Sequence, residues 1–326
     1  MVDDWSPSAS LDLLKARAAF LTRLRAFFMQ AGVLEVETPA LSCYGGTDPA
    51  IESLKTRYTG PGAADGLELT LHTSPEFPMK RLLAAGSGPI YQISRVFRDG
   101  ESGRLHNPEF TLLEWYRPGF DHHDLMGEMA ALVRSVVNSG LPEERISYRD
   151  LFLEHCAVDP HDCTVNELVD TAKKLGVSGA AELVLDASDS WLDLLLTHLI
   201  EPKLGRGKMT FIYDYPASQA SLARIRHGDN VDVAERFELY LNGTEIANGF
   251  HELGDAAELQ RRFEADNRER RKSGQMEQSM DQRLLAALDA GFPDCAGVAL
   301  GVDRLLMVME GADSIEQVMA FPIGRA

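Results

Sequence analysis

The chain has 326 residues, of which 44% are apolar and 25% charged, and its 50 acidic and 32 basic side chains give a formal net charge of −18 at pH 7. This composition is typical of a globular protein and excludes a disordered or fibrous chain. No apolar run approaches the roughly 18 residues of a membrane span, and the acidic start MVDDWSPSAS is unlike a secretory signal. Four scattered cysteines predict no disulfide framework. We therefore expect a cytoplasmic protein that binds polyanions such as nucleic acid poorly.

The first predicted element is an amphipathic helix over residues 11–32. Its apolar residues recur at steps of three and four, the helical period, and they are Leu14, Ala18, Leu21, Leu24 and Phe28. Residues 33–39 then predict a strand, which Pro39 restricts to an edge or an end of a sheet. Packing within one chain and pairing across a dimer axis both explain this helix and strand.

Short strands and a helix alternate from residue 67 to residue 116. The pattern predicts strands at 67–71, 89–97 and 109–116, with a helix at 77–85. The connection at 98–108 is long, polar and charged where a tight turn would suffice, and such loops are often functional.

Residues 120–205 predict a mostly helical segment. Cys156, His161 and Cys163 lie close in sequence, but their spacing matches no common zinc pattern, so a surface loop is the preferred interpretation. The adjacent His122 and His123 are likewise interpreted as solvated side chains and not as metal ligands.

The strongest local pattern is a hairpin centred on Asn242-Gly243, because Asn-Gly suits a two-residue type I′ turn. Counting back from the turn pairs Tyr240 with Glu245 and places Glu238 diagonal to Glu245 on one face. Two such carboxylates repel each other unless a proton or a metal intervenes, and magnesium prefers oxygen ligands of this kind. Two solvated acids on an exposed face explain the pattern equally well.

Two strands place an acid beside aromatic rings, Glu114 within 110–116 and Glu252 within 248–252. Such a face suits an ammonium group, through ion pairing and cation–π attraction. Each acid taken singly is also explained by a structural role.

Near the C-terminus, residues 297–304 (GVALGVDR) predict a glycine-bearing strand that leads into a helix. Glycines inside a strand often mark the close approach of a ligand, and Arg304 suits stacking on a flat base or neutralising phosphate. A surface ion pair explains Arg304 as well. The segment is neither a P-loop nor a dinucleotide-binding fingerprint.

Taken together, these segments resemble the catalytic domain of class II aminoacyl-tRNA synthetases. Residues 11–39 resemble motif 1, residues 91–116 motif 2 and residues 297–310 motif 3, while TSPE at 73–76, HNPEFTLLEWY at 106–116 and EIANGFHEL at 245–253 resemble the lysine-specific branch. The resemblance implies an α+β fold in which helices flank a six-stranded antiparallel sheet. It also implies a single catalytic domain over residues 1–326, with a mostly helical insertion at 120–205, and a homodimer formed through motif 1.

The resemblance is closest to freestanding lysyl-tRNA synthetase paralogues. Only about ten residues precede the first helix, far fewer than an anticodon-binding OB domain requires, so no such domain is expected. Residues 211–220 (FIYDYPASQA) also match this group, as does Ala299, where lysyl-tRNA synthetases usually carry glycine. The resemblance implies ATP- and magnesium-dependent activation of (R)-β-lysine and its transfer to a lysine ε-amino group of elongation factor P, with no stable tRNA binding and no membrane.

The resemblance assigns roles residue by residue. It implies catalytic roles for Arg98, Glu245 and Arg304, and magnesium binding by Glu238 and Glu245. The implied ATP-binding residues are Arg98, Asp99, Gly100, His106, Asn107, Phe110, Glu245, Ile246, Gly301 and Arg304, with Phe110 and Arg304 on opposite faces of the adenine. The implied lysine-binding residues are Ser74, Pro75, Glu76, Glu114, Tyr116, Asn248, Phe250, Glu252 and Ala299, with Glu252 on the ε-ammonium. Where the family usually has Arg-Asn-Glu this chain has Arg98-Asp99-Gly100, and Glu101 is the expected substitute.

Two other functions remain open. The same adenylation would serve a tRNA or a small molecule as acceptor, although the charge of −18 and the missing anticodon domain count against tRNA. A non-catalytic regulator that senses an amino acid or tRNA is the second alternative. The joint presence of Arg98, Glu238, Glu245 and Arg304 counts against it, because a site without catalysis need not keep metal and phosphate ligands together.

Overall fold

The computed structural model describes residues 5–63, 65–137, 140–229 and 231–326. The chain folds into two compact units: the first unit is Met1–Gly119 with Gly254–Ala326, and the second unit is Phe120–Leu253. The single domain expected over residues 1–326 stays a prediction.

The helices in chain order are α1 (Leu11–Gln30), α2 (Glu76–Ala84), α3 (His122–Val137), α4 (Tyr148–Cys156), α5 (Val165–Lys174), α6 (Ser188–Leu195), α7 (Ala256–Lys272), α8 (Gln282–Gly291) and α9 (Val302–Glu310). The strands are β1 (Leu34–Glu35), β2 (Leu41–Ser42), β3 (Lys55–Tyr58), β4 (Leu67–Leu71), β5 (Ile90–Phe97), β6 (Glu109–Pro118), β7 (Glu143–Ser147), β8 (Met209–Pro216), β9 (Ile225–Arg226), β10 (Val233–Leu241), β11 (Thr244–His251) and β12 (Cys295–Gly301).

In the first unit, β5, β6 and β12 form antiparallel pairs and β1 joins β5 in parallel. A separate three-stranded antiparallel sheet has the order β2-β4-β3. Helix α1 is confirmed, but its predicted apolar face is only partly buried. Leu24 and Phe28 are buried, Leu14 and Leu21 are half-buried, and Ala18 is exposed. Phe28 stacks on Tyr91 with their ring centroids 4.4 Å apart. The predicted strand at 33–39 is shorter than expected, since only Leu34–Glu35 pair as a strand.

In the second unit, β11, β10 and β8 are antiparallel, β7 joins β8 in parallel, and β9 pairs with β10. The described part of 120–205 contains α3 to α6 and one strand, as the sequence predicts. Its core is built from large apolar side chains of these helices and of β8, among them Phe152, Trp191 and Tyr215.

The α+β class is confirmed, but the prediction of six purely antiparallel strands is wrong. Three long antiparallel strands lie in each unit, and the described residues add further strands, two of which pair in parallel. The reason is connectivity. Parallel pairing needs a crossover of a dozen or more residues, and α4 to α6 supply one between β7 and β8.

The predicted hairpin is confirmed, with β10 and β11 joined by Asn242 and Gly243 at φ values of 50° and 74°, the conformation of a type I′ turn. The predicted pair Tyr240–Glu245 is present, but the register then shifts so that Glu238 faces Asn248. Ile246 is the extra residue of this β-bulge. Because it absorbs one step of the alternation, Glu245 shares a face with the alternate residues from Asn248 onward.

Candidate active site

The first feature of the candidate site is a buried carboxylate in the first unit. Glu114, in the middle of β6, is 2% exposed. Its Oε2 accepts a hydrogen bond of 2.7 Å from the Ser74 hydroxyl, and its Oε1 accepts one of 2.6 Å from the Tyr116 hydroxyl. Ala299 of β12 is its direct cross-strand neighbour. The structure thus brings together four of the predicted lysine-binding residues: Ser74, Glu114, Tyr116 and Ala299.

A second acid, Glu76, lies at the start of α2. Pro75 precedes the helix, and the Ser74 hydroxyl accepts a hydrogen bond from the Glu76 amide. Glu76 is not an isolated charge, because the buried Lys80 one turn later lies 2.6 Å from its Oε1. Lys80, which sequence analysis did not select, therefore forms an ion pair with Glu76.

Arg98 is the central cation of the predicted ATP-binding loop. Its guanidinium lies over the Phe110 ring, 5.0 Å from the centroid, and 3.4 Å from the Glu101 carboxylate. Glu101 thus contacts Arg98, as expected of a substitute for the usual family residue. The amides of Asp99 and Gly100 are fixed by the Glu52 carbonyl and by the Asp99 side chain.

Arg304, in the first turn of α9, contacts the same loop. It lies 2.7 Å from His106 Nε2 and donates to the Leu105 carbonyl. Desolvation and the adjacent Arg304 lower the pKa of His106, which keeps the imidazole neutral and able to accept from the guanidinium. Gly301, the N-cap residue of α9, faces the aliphatic part of the Arg304 side chain.

Asn107, a predicted ATP-binding residue, is held within the loop. It is 4% exposed, its amide donates to the Glu109 carbonyl, and its oxygen accepts from the Ile323 amide. The side chain therefore joins the loop to the C-terminal segment through its oxygen, and its contact with ATP stays a prediction.

In the second unit, Arg236 links the polar residues on one face of β10 and β11. It donates to the Asn248 oxygen at 3.2 Å and to Glu238 Oε1 at 2.5 Å, and it lies over the Tyr215 ring. Burial opposes its charge, but Glu238 and Glu245 hold the Arg236 pKa above its usual value. Sequence analysis did not select Arg236, although its alternation with Glu238 on β10 was an available signal.

Glu238 and Glu245 provide an oxygen-rich donor set. Tyr240, which lies opposite Glu245, donates to Glu238 Oε2 at 2.7 Å. Burial first, and then both carboxylates, raise the pKa of the Tyr240 hydroxyl well above its usual value. This combined negative potential fits a magnesium ion, which proteins hold through one or two carboxylates and the substrate phosphates. Arg236 and Tyr240 each donate to one oxygen of Glu238.

The remaining predicted residues of the second unit lie along β11 and just beyond it. Ile246 is the buried bulge residue. Phe250 faces Arg236 across the ladder and packs on the core of the unit. Glu252, which follows the strand, is 5% exposed, and its backbone bridges to Ala223.

Comparison with known proteins agrees with this arrangement. Residues 4–325 match the family described as tRNA synthetases class II (D, K and N). The chain belongs to this family. It is 53% identical over 323 residues to an elongation factor P--(R)-beta-lysine ligase of Vibrio cholerae serotype O1, which covers 99% of both chains. Proteins of the same name from Salmonella typhi and Yersinia enterocolitica serotype O:8 are 52% and 51% identical, over 99% of this chain and 98% of theirs.

As a family member the chain is a ligase of class II synthetase type, in agreement with the sequence-based prediction. Within the described residues, no helix combines the length and the apolar character that crossing a membrane requires.

Proposed function

We propose that this protein activates (R)-β-lysine with ATP and transfers it to the ε-amino group of a lysine on elongation factor P. The observation that carries the proposal is the match over nearly the whole chain, at 51–53% identity, to ligases named for that reaction. The local geometry within each unit supports it. Ser74 and Tyr116 donate hydrogen bonds to Glu114, Arg304 lies 2.7 Å from His106, and Arg236 links Glu238 to Asn248.

In the first step, the amino-acid carboxylate attacks the α-phosphorus of ATP, the bond to the bridging oxygen breaks, and pyrophosphate leaves. Arg98 is proposed to balance the negative charge on the transferring phosphoryl group, as fixed cations do in such reactions. Phe110 and Arg304 are proposed to hold the adenine, and Asp99, Gly100, His106, Asn107, Ile246 and Gly301 to shape the ATP site. When bound, magnesium at Glu238 and Glu245 supplies further charge neutralisation of the phosphates.

In the second step, the neutral ε-amine of the acceptor lysine attacks the carbonyl carbon of the adenylate. The carbonyl carbon–oxygen bond to AMP breaks, an amide forms, and the amine loses a proton. No covalent enzyme intermediate is needed.

Lysine recognition is assigned to the carboxylates and their neighbours. Glu252 is proposed to bind the ε-ammonium. The other residues proposed to line the lysine pocket are Glu76, Glu114, Tyr116, Asn248 and Phe250, with Ser74 and Pro75 at its edge. Glu114, a buried carboxylate that accepts hydrogen bonds from Ser74 and Tyr116, is proposed to attract the second ammonium. The methyl group of Ala299, next to Glu114 in the ladder, is proposed to exclude the α-amino group and favour the β isomer.

The proposed acceptor also indicates where the reaction occurs. Because the acceptor is a translation factor, we propose that the reaction takes place in the cytoplasm. We further propose a homodimer through residues 11–39 and no stable tRNA complex, since the net charge of −18 opposes phosphate-backbone binding.

The decisive experiment measures the intact mass of elongation factor P after incubation with this protein, ATP, magnesium and either lysine isomer. A gain of one lysyl group, larger with the β isomer, is expected. If no mass is gained while lysine-dependent ATP–pyrophosphate exchange proceeds, the proposed acceptor is wrong and a tRNA or small amine takes its place. If no lysine isomer supports exchange, the protein is a non-catalytic regulator.

A further inference from the structure

A second polar cluster lies on the other face of the β10–β11 pair. The ladder of these strands ends at the pair Arg236–Phe250, and Glu235 and His251 are the adjacent residues in sequence, so their side chains point away from the Glu238 face. The Arg224 backbone lies between them, because its amide donates to the His251 carbonyl and its carbonyl accepts from the Glu235 amide. Helix α3 packs against these two strands and contributes its first residue, His122. Among the described residues, His122, Glu235 and His251 are the group whose possible metal-ligand atoms all lie within 4.8 Å of one another.

The cluster is enclosed by the fold of the second unit. His122 is 1% exposed and His251 is 7% exposed. The expectation of solvated histidines at 122 and 123 is therefore wrong for His122, because α3 turns it inward against the sheet. A buried imidazole needs partners for its nitrogen atoms.

His122 has the hydrogen bonding of a metal-binding histidine. Its Nε2 lies 3.3 Å from Asp214 Oδ1, while its buried Nδ1 has no hydrogen-bond partner. Histidines that bind metals usually donate through one ring nitrogen to a carboxylate and leave the other nitrogen for the ion. His251 Nδ1, 2.7 Å from Glu235 Oε2, supplies a nitrogen–oxygen pair that an ion can bridge.

The charged side chains around the cluster include both arginines and carboxylates. Arg226 pairs with both Asp214 and Glu235, and Arg224 NH1 lies 3.5 Å from His251 Nε2. Two guanidiniums and two carboxylates cancel, so with neutral imidazoles the cluster has no net charge. Two nitrogen donors and one carboxylate favour zinc-like ions over magnesium, and three protein ligands leave a fourth position open.

We propose that His122, Glu235 and His251 form a binding site for one divalent transition-metal ion of the zinc type, with Asp214 orienting His122. The ion takes the place of the hydrogen bond between His251 Nδ1 and Glu235 Oε2, and the single proton of the neutral imidazole moves from Nδ1 to Nε2, so no proton is released. The site is distinct from Glu238 and Glu245, and it stands independently of the proposed ligase activity.

The test uses the full chain freed of metal by a chelator, without nucleotide. Zn²⁺ is titrated by isothermal calorimetry in two buffers of different ionisation enthalpy, and Co²⁺ by its visible absorption. We expect one equivalent per chain, a heat that is the same in both buffers because no proton is released, and a higher melting temperature. Glu235→Gln and His251→Gln should abolish this binding, and Asp214→Asn should weaken it roughly 10- to 100-fold.

Two matched variants control for other metal contacts. His227→Gln removes an exposed histidine that also pairs with an aspartate, at 2.8 Å from Asp232, and Glu245→Gln removes the proposed magnesium ligand. Both should bind the ion as the unaltered chain does. The proposal is overturned if the unaltered chain binds no ion, or if Glu235→Gln binds as tightly as it does. Loss of binding in either control would also overturn it. Should His251→Gln fail to fold, Glu235→Gln decides, since its amide keeps the shape of the carboxylate.

Discussion

Glu114 in the first unit and Glu238 in the second unit are both buried glutamates within a strand, 2% and 7% exposed. Their partners differ. Glu114 accepts hydrogen bonds from two neutral hydroxyls, whereas Glu238 accepts one from a guanidinium and one from Tyr240. Hydroxyls satisfy a carboxylate without cancelling its charge, and a guanidinium does both. The described hydrogen bonds thus connect Glu238 to a guanidinium of its own strand and Glu114 to two hydroxyls, and removing the charge at each position tests what that charge does.

The largest effect, on the free energy of unfolding, is expected when the Arg236 guanidinium is removed. Arg236→Met leaves Glu238 buried without its cation, and breaking a buried pair in this way costs about 3–5 kcal/mol. Urea unfolding should show this loss, and Arg236→Met with Glu238→Gln should recover part of it. Arg149→Met removes an exposed ion pair and should leave the urea midpoint nearly unchanged. Equal losses in the two single variants would contradict a structural role for the Arg236–Glu238 pair.

Removing the charge of Glu114 should affect activity. Glu114→Gln keeps the shape of the side chain, but a buried charge pair with a substrate ammonium is worth about 2–5 kcal/mol, so kcat/KM for lysine should fall at least about thirtyfold. Pyrophosphate exchange measures this, with KM for ATP unchanged. Glu109→Gln, on the same strand but half exposed, is the matched control. An unaffected Glu114→Gln enzyme would show that its charge does not face the substrate.

Removing one hydroxyl should have a smaller effect than removing the charge. Ser74→Ala deletes a hydrogen bond to a carboxylate, worth about 1.5–3 kcal/mol, and leaves the charge in place. We expect KM for lysine to rise in pyrophosphate exchange, with kcat nearly unchanged. If Ser74→Ala lowered activity as much as Glu114→Gln, positioning and not charge would dominate.

The smallest effect is expected from His72, a buried titratable side chain of the first unit that is hydrogen-bonded to a backbone carbonyl. His72 is 9% exposed, its Nε2 donates to the Arg95 carbonyl, and burial lowers its pKa from 6.5. Below that pH the unfolded chain binds the proton more readily than the folded one, so His72 lowers stability as the pH falls. Urea midpoints between about pH 7.5 and pH 5.5 should decrease less for His72→Gln than for the unaltered chain. Parallel curves would exclude this contribution.

The sequence predicted the elements set by local patterns. Helix α1 follows its apolar period, and Asn242-Gly243 has the backbone of the expected turn. Patterns of this kind depend on neighbours in the chain, so they need no knowledge of the tertiary fold.

What the sequence did not show depends on contacts between distant segments. Arg236 is selected by Glu238, Asn248 and the Tyr215 ring together, and an arginine in a strand pattern is ordinarily a surface residue. Lys80 and His122 were missed for the same reason, because burial of a charged or polar side chain is decided by the element that covers it.

The bulge at Ile246 also limits how the length of β11 can change. Glu245 and Asn248 are three positions apart, an odd spacing that a regular strand would place on opposite faces. Deleting one residue at the bulge would restore an ordinary ladder and leave the later side chains where they are. Inserting one residue between Asn248 and His251 would instead exchange the faces, sending Glu252 to the side of Glu235 and His251 to the side of Arg236. Gly243 and Gly254 flank β11 in the sequence. A single-residue insertion inside β11 is therefore expected to be far more damaging than these neighbouring glycines would suggest.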